Sequence, residues 1–109
     1  MSPDRRSPHE TEVTFEFLRH VGPRFIHGGV TLRFEASEEY EFVTRATWPT
    51  TDNYENAVRE AIEDVLLRQL GKLKGTKVVL ERIRWDPINS SENGFRRAAL
   101  AAAEAAFMV

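Results

Sequence analysis

The sequence predicts an α+β domain: a two-layer β-β-β-α-β-α sandwich whose four-stranded sheet carries both helices on one face. Three observations predict it. Apolar and polar residues alternate with period two in the first half of the chain. An apolar stripe recurs every three or four residues over 54–70. A second stripe of that kind closes the chain, after one Val- and Ile-rich segment. The 109 residues suffice for one modest core. They divide into a polar tail over 1–10, broken by Pro3 and Pro8, and one domain over 11–109.

Val13, Phe15 and Phe17 alternate with Thr14 and Glu16, which is the pattern of a half-buried strand. Gly22-Pro23 and Gly28-Gly29 then read as turn signals, so 19–29 is expected to be a loop. Val30, Leu32 and Phe34 form a second strand. Ser37-Glu38-Glu39 is a polar turn that predicts a hairpin to a third strand, with Tyr40, Phe42, Thr44, Ala46 and Trp48 on one face and Pro49 as its stop. Asp52 and Glu55 have capping-box spacing ahead of a helix whose stripe includes Tyr54, Val58, Ile62, Val65 and Leu66. Gly71 fits its C-terminal end, because glycine takes a positive φ without penalty. Lys77 to Trp85 reads as the fourth strand, stopped by Asp86-Pro87. Asn89 and Glu92 repeat the capping spacing before an alanine-rich helix, where Phe95, Ala98, Ala99 and Ala102 share a side. One sheet face reads as polar, as expected when both helices cover the other.

Composition narrows the function classes. Apolar residues make up 41% and charged residues 29%, ordinary for a folded domain. Cysteine is absent, which excludes a disulfide framework and a thiolate metal site. No apolar run approaches the ~20 residues that cross a bilayer, and the first ten residues have no apolar core of a secretory signal, so a cytoplasmic address is expected. The net charge of −2 argues against a uniformly basic nucleic-acid binder but permits a local basic patch.

Several short motifs fall into one order. Glu41-Phe42-Val43 ends a strand, Tyr54 with Ala57-Val58 opens a helix, and Leu73-Lys74-Gly75 precedes Val78-Val79. Asn89-Ser90-Ser91-Glu92 then leads to Phe95 and the alanines. This series, over about residues 30–107, resembles domain IV of the translocase elongation factor G. The resemblance implies the ribosomal protein S5 domain 2-like fold, with a left-handed β-α-β crossover that runs against the general rule. It also implies that two loops form a tip entering the ribosomal decoding site. The chain departs from the family in two respects. It has no Gly-x-x-x-x-Gly-Lys-Ser/Thr loop, so GTP binding and hydrolysis are not expected. Its second tip loop, Trp85 to Asn89, is shorter and lacks the family's Gly and His.

Among candidate site residues, His9, His20 and His27 have no zinc-site spacing, and no metal or cofactor is expected. Ser90 and Ser91 have no recognisable general base in the sequence. The remaining constellation is Arg19, His20, Arg24, Phe25 and His27 in the glycine-containing segment. Arginines contact phosphates, and an aromatic ring can stack on an unpaired base. By the resemblance this segment lies at the same end as Arg82, Arg84, Trp85 and the rest of the second tip loop. Protonation of His20 and His27 toward pH 6 would strengthen the patch. The expected function is a non-catalytic binding module that touches ribosomal or other RNA. The alternative is a protein-interaction or oligomerisation domain, binding another protein or itself, that kept the fold without RNA binding. A small enzyme ranks last, because no acid-base or nucleophile constellation is legible.

Overall fold

Alternation over Val13–Phe17 does produce a strand. In the computed structural model, which describes residues 11–49 and 52–107, this strand (β1, Thr11–Val21) continues well past Phe17. A tight turn at Gly22-Pro23, with Gly22 at φ 60°, reverses the chain into β2 (Arg24–Ala36). The segment expected to be a loop is therefore an antiparallel ribbon. Leu18 lies across from His27, Arg19 from Ile26 and His20 from Phe25. The physical reason is that only Gly22-Pro23 turns the chain. Gly28 and Gly29 stay in extended pairing and serve close packing instead. The assigned tail, residues 1–10, lies outside the described residues.

The remaining elements are β3 (Glu41–Thr44), α1 (Glu55–Leu70), β4 (Thr76–Arg84) and α2 (Glu92–Ala106). The sheet order is β1-β2-β4-β3, with β3 parallel to β4 and the other pairs antiparallel. This corrects the hairpin expected at Ser37-Glu38-Glu39, because β4 stands between β2 and β3. Val78, Val79 and Leu80 are all buried, and a strand that is apolar on both faces belongs in the sheet interior. A bulge at Glu81 shifts the β2–β4 register, so that Thr31 faces Arg82 while Leu32 faces Leu80. The third strand is also shorter than its pattern suggested. The Arg45 N–H makes one more ladder bond, to the Leu80 carbonyl at 2.8 Å. Ala46 and Trp48 then leave the strand but still pack on the core.

Val30, Leu32 and Phe34 of β2 join Val78 and Leu80 of β4 on the covered sheet face. Val58, Ile62, Val65 and Leu66 of α1 and Phe95, Ala98, Ala99 and Ala102 of α2 close over them. Phe42 packs at the margin of this cluster and is only partly buried, because β3 is an edge strand. Trp48, Tyr54 and Phe95 form an aromatic corner, with the Trp48 and Phe95 rings 5.0 Å apart. The Tyr40 hydroxyl donates to Glu63 at 2.8 Å and ties the start of β3 to α1. Burial pushes this phenol well above its ordinary range, and the Glu63 carboxylate adds to the shift.

The helix ends refine the capping assignments. Asp52 does not cap α1; the Asn53 side chain accepts from the Glu55 N–H at 2.9 Å, and Tyr54 is the boundary residue. Gly71 does end α1, at φ 78°, with its N–H on the Leu67 carbonyl. Ser91, not Asn89, caps α2, accepting from the Gly94 N–H at 3.1 Å. Asn89 is used in the turn before it, where the Asp86 carboxylate accepts from the Ile88 N–H at 2.9 Å and from the Asn89 side chain at 3.1 Å. Among the described residues, no helix is long and apolar enough to cross a membrane.

Candidate nucleic-acid interface

Strand β4 stops short of the ribbon. Pairing of β2 with β4 ends at Gly29 opposite Arg84, whereas pairing of β2 with β1 continues to Arg24 opposite Val21. Five residues of β2, Arg24–Gly28, therefore extend beyond β4. At about 3.3 Å per residue the arm projects on the order of 15 Å. A two-stranded ribbon alone is marginal in water, so its base needs an anchor.

The anchor is the turn before α2. The His27 N–H donates to the Asn89 carbonyl at 3.1 Å, and the Ser91 N–H donates to the His27 carbonyl at 3.2 Å. Next to these bonds Gly28 of the arm lies directly on Gly94 and Phe95 of α2. A methyl group on Gly28 would sit 2.5 Å from the Gly94 carbonyl carbon and from the Phe95 nitrogen. A methyl group on Gly94 would meet the His27 carbonyl. Glycine at both positions is what lets two backbones touch. Thus 19–29 does lie at the same end as 85–89, through backbone contact at its base.

Side-chain chemistry reinforces the anchor. His27 is only 5% exposed. One ring nitrogen, Nε2, contacts Glu16 Oε2 at 2.6 Å, and Nδ1 contacts Ser90 Oγ at 2.9 Å. Ser90 Oγ also accepts from the Asp86 N–H at 2.8 Å. This corrects the reading of His27 as an exposed loop histidine that adds charge to a patch. It is a buried tie between β1, β2 and the turn before α2. Sequence reasoning missed the Ser90–His27–Glu16 chain because 63 residues separate His27 from Ser90. The arrangement resembles a nucleophile relay in outline. Ser90 Oγ also touches a backbone N–H, and together these bonds cross-link β1, β2 and the turn before α2.

The tip presents the other candidates. His20 and Phe25 stack with ring centroids 4.7 Å apart, and Phe25 is 45% exposed. Arg19 lies on the opposite face of the ribbon, its guanidinium 5.9 Å from the centre of the Phe17 ring. Period two thus divides Arg19 from His20 and Phe25. Arg24 occupies the first position of β2 after the turn.

Arg84 closes β4 on the open face of the sheet, where it meets Glu16 at 3.5 Å; Arg82 meets Glu12 at 3.4 Å. Both arginines remain mostly exposed. Between them lies a depression of about 540 Å³ bordered by Thr14, Glu16, Gly29, Thr31, Arg82 and Arg84. Trp85 is not part of this surface. It is partly buried against the core and its Nε1–H donates to Asp52 at 3.2 Å, which leaves Phe25 as the aromatic residue of the arm with an open ring. Among the described residues no cluster of His, Asp and Glu could hold a metal ion.

No protein-family model matches the chain, and no curated protein matches it. Among solved structures it is similar to the crystal structure of ttk003000868 from Thermus thermophilus, with a TM-score of 0.79 and 24% identity over 89% of this chain. The chain spans 15% of the length of that protein. At this identity the likeness shows a shared fold.

Proposed function

We propose that this chain is a non-catalytic binding module, similar to domain IV of elongation factor G, that inserts its β1–β2 arm into RNA in the cytoplasm. One observation supports the reading above the rest. The arm projects beyond β4 and carries Arg19, Arg24 and an exposed His20–Phe25 stack. Cationic side chains meet phosphates, and the open ring of Phe25 offers a face to an unpaired base. Arg84 and Arg82 continue positive charge along the open sheet face behind the tip, although Glu16 and Glu12 partly neutralise them. The anchored base keeps the arm in one direction, so binding does not have to order it.

Anisotropy titration of a labelled RNA stem-loop tests this reading. Replacing Phe25 with Ala removes one stacked base contact, worth about 1–3 kcal/mol, so affinity should fall between about 5-fold and 150-fold. Equal binding by wild type and variant, or none by either, favours the protein-interaction reading instead.

A further inference from the structure

Two arginines in the crease between β1 and α2 stand apart from the others. Among the described residues, seven arginines each meet a carboxylate oxygen within 3.6 Å, whereas Arg19 and Arg97 meet none. Both are exposed. Their guanidiniums converge on one ring, Arg19 at 5.9 Å and Arg97 at 5.5 Å from the centre of Phe17. The fold brings them together. Phe17 lies across from Gly28, and Gly28 lies on Gly94 of α2, so Arg97, about one turn further along the helix, reaches the same ring. The acidic residues of β1, Glu12 and Glu16, alternate onto the opposite sheet face, where they meet Arg82 and Arg84. Those of α2 are engaged elsewhere, Glu92 by Arg96 and Glu104 by Arg68. Two like charges at one ring repel each other, and an anion between them removes that cost. A guanidinium over a ring uses its face and keeps its in-plane N–H groups for an anion, in a fork that matches phosphate.

We infer that this crease is an RNA-backbone site, where Arg19 and Arg97 grip the phosphodiester chain. The inference rests on the proposed RNA-binding arm and extends it to the arm's other face. His20 and Phe25 offer a base contact on one face, and Arg19 and Arg97 offer a phosphate contact on the other. The bound strand passes around the edge of β1, which among the described residues has no neighbouring strand on that side. Phe15, two residues before Phe17 on the same face, keeps 36% exposure and extends the site with a partly open ring. An RNA strand fits this surface better than an acidic peptide, because it supplies phosphates to the arginines and bases to the rings.

Anisotropy titration of the labelled RNA stem-loop tests it, with Arg97→Gln set against Arg96→Gln. Each variant removes one positive charge from neighbouring positions of α2, but Arg96 is already paired with Glu60 and Glu92. Arg97→Gln should weaken binding by about 10-fold or more and flatten the slope of log K against log salt by about 0.7–0.9. Arg96→Gln should stay close to wild type in both. Equal losses in the two variants mean that net charge alone acts, and overturn the site. Wild-type affinity and slope in Arg97→Gln overturn it too; if Phe25→Ala still weakens binding, the RNA-binding arm stands without this site. Absence of RNA binding by wild type removes both. A measurement on wild type covers a variant that fails to fold. The Arg97 Nε–H resonance should move when RNA is added. A resonance that stays in place, or that moves with inorganic phosphate but not with RNA, contradicts the inference.

Discussion

Replacing Gly28 with Ala tests the contact that fixes the arm to the body. The added methyl carbon would sit 2.5 Å from two backbone atoms of α2, and 2.7 Å from the Phe95 Cα. Ordinary van der Waals contact begins near 3.4 Å, so arm and helix must part by about 0.9 Å. The opposing atoms are backbone, and no flexible side chain can yield. Overpacking of this kind costs about 1–3 kcal/mol. Against that, alanine in extended backbone recovers about 0.5–1 kcal/mol relative to glycine. A net loss of up to about 2.5 kcal/mol remains. In a domain of this size each kcal/mol shifts Tm by roughly 4–8 °C, so a drop of up to about 20 °C is expected by calorimetry. Gly22→Ala provides a contrast. Its methyl group would meet nothing within 4 Å, and only its φ of 60° is unfavourable, costing about 1–2 kcal/mol without moving α2. Amide exchange should therefore accelerate at Gly94 and Phe95 in Gly28→Ala alone. An unchanged Tm together with unchanged exchange at α2 would refute the backbone contact.

Three further outcomes are expected. Ile62→Ala removes a fully buried side chain from the centre of the core and should cost about 2–5 kcal/mol in urea unfolding; a loss under 1 kcal/mol would place α1 wrongly. Ser91→Ala deletes the side-chain cap of α2 and should cost about 1 kcal/mol, whereas Asn89→Ala should leave α2 its cap. Asp86 sets an acid limit. Its carboxyl is held below the ordinary value, first by the Ile88 N–H and then by the Asn89 side chain, so the unfolded chain binds this proton more tightly. The stabilisation is complete above the ordinary value of 3.8 and lost as pH falls through the lower folded value. Urea midpoints should therefore drop more steeply below pH 4 in wild type than in Asp86→Asn.

The element order was legible because most strands here are buried on one face and each helix carries one apolar stripe. Ile62, Val58 and Phe95 are recognisable as core from spacing alone. The sheet order was not legible, because nothing local to Ser37–Tyr40 shows that β4 will insert between β2 and β3. The Gly28-Gly29 pair was misread for a related reason. Locally it looks like a turn, and only Gly94, far along the chain, shows that it serves a close approach. The candidate site divides the same way. Arg19, His20 and Phe25 stand exposed at one end as the sequence suggested. His27 and Trp85 carry the same chemical types but turn inward, to Glu16 and Ser90 and to Asp52. A sequence pattern cannot separate an aromatic or titratable group that faces solvent from one that satisfies a distant polar partner.

The salt dependence of RNA affinity tests the central claim most directly. For a single-stranded target the slope of log K against log salt is about −0.7 for each phosphate contact. Arg19→Glu combined with Arg24→Glu removes two cations from the arm and should flatten the slope by about 1.4 while weakening binding to every RNA sequence tried. Equal slopes and equal affinities for wild type and the double variant would contradict an RNA-binding arm.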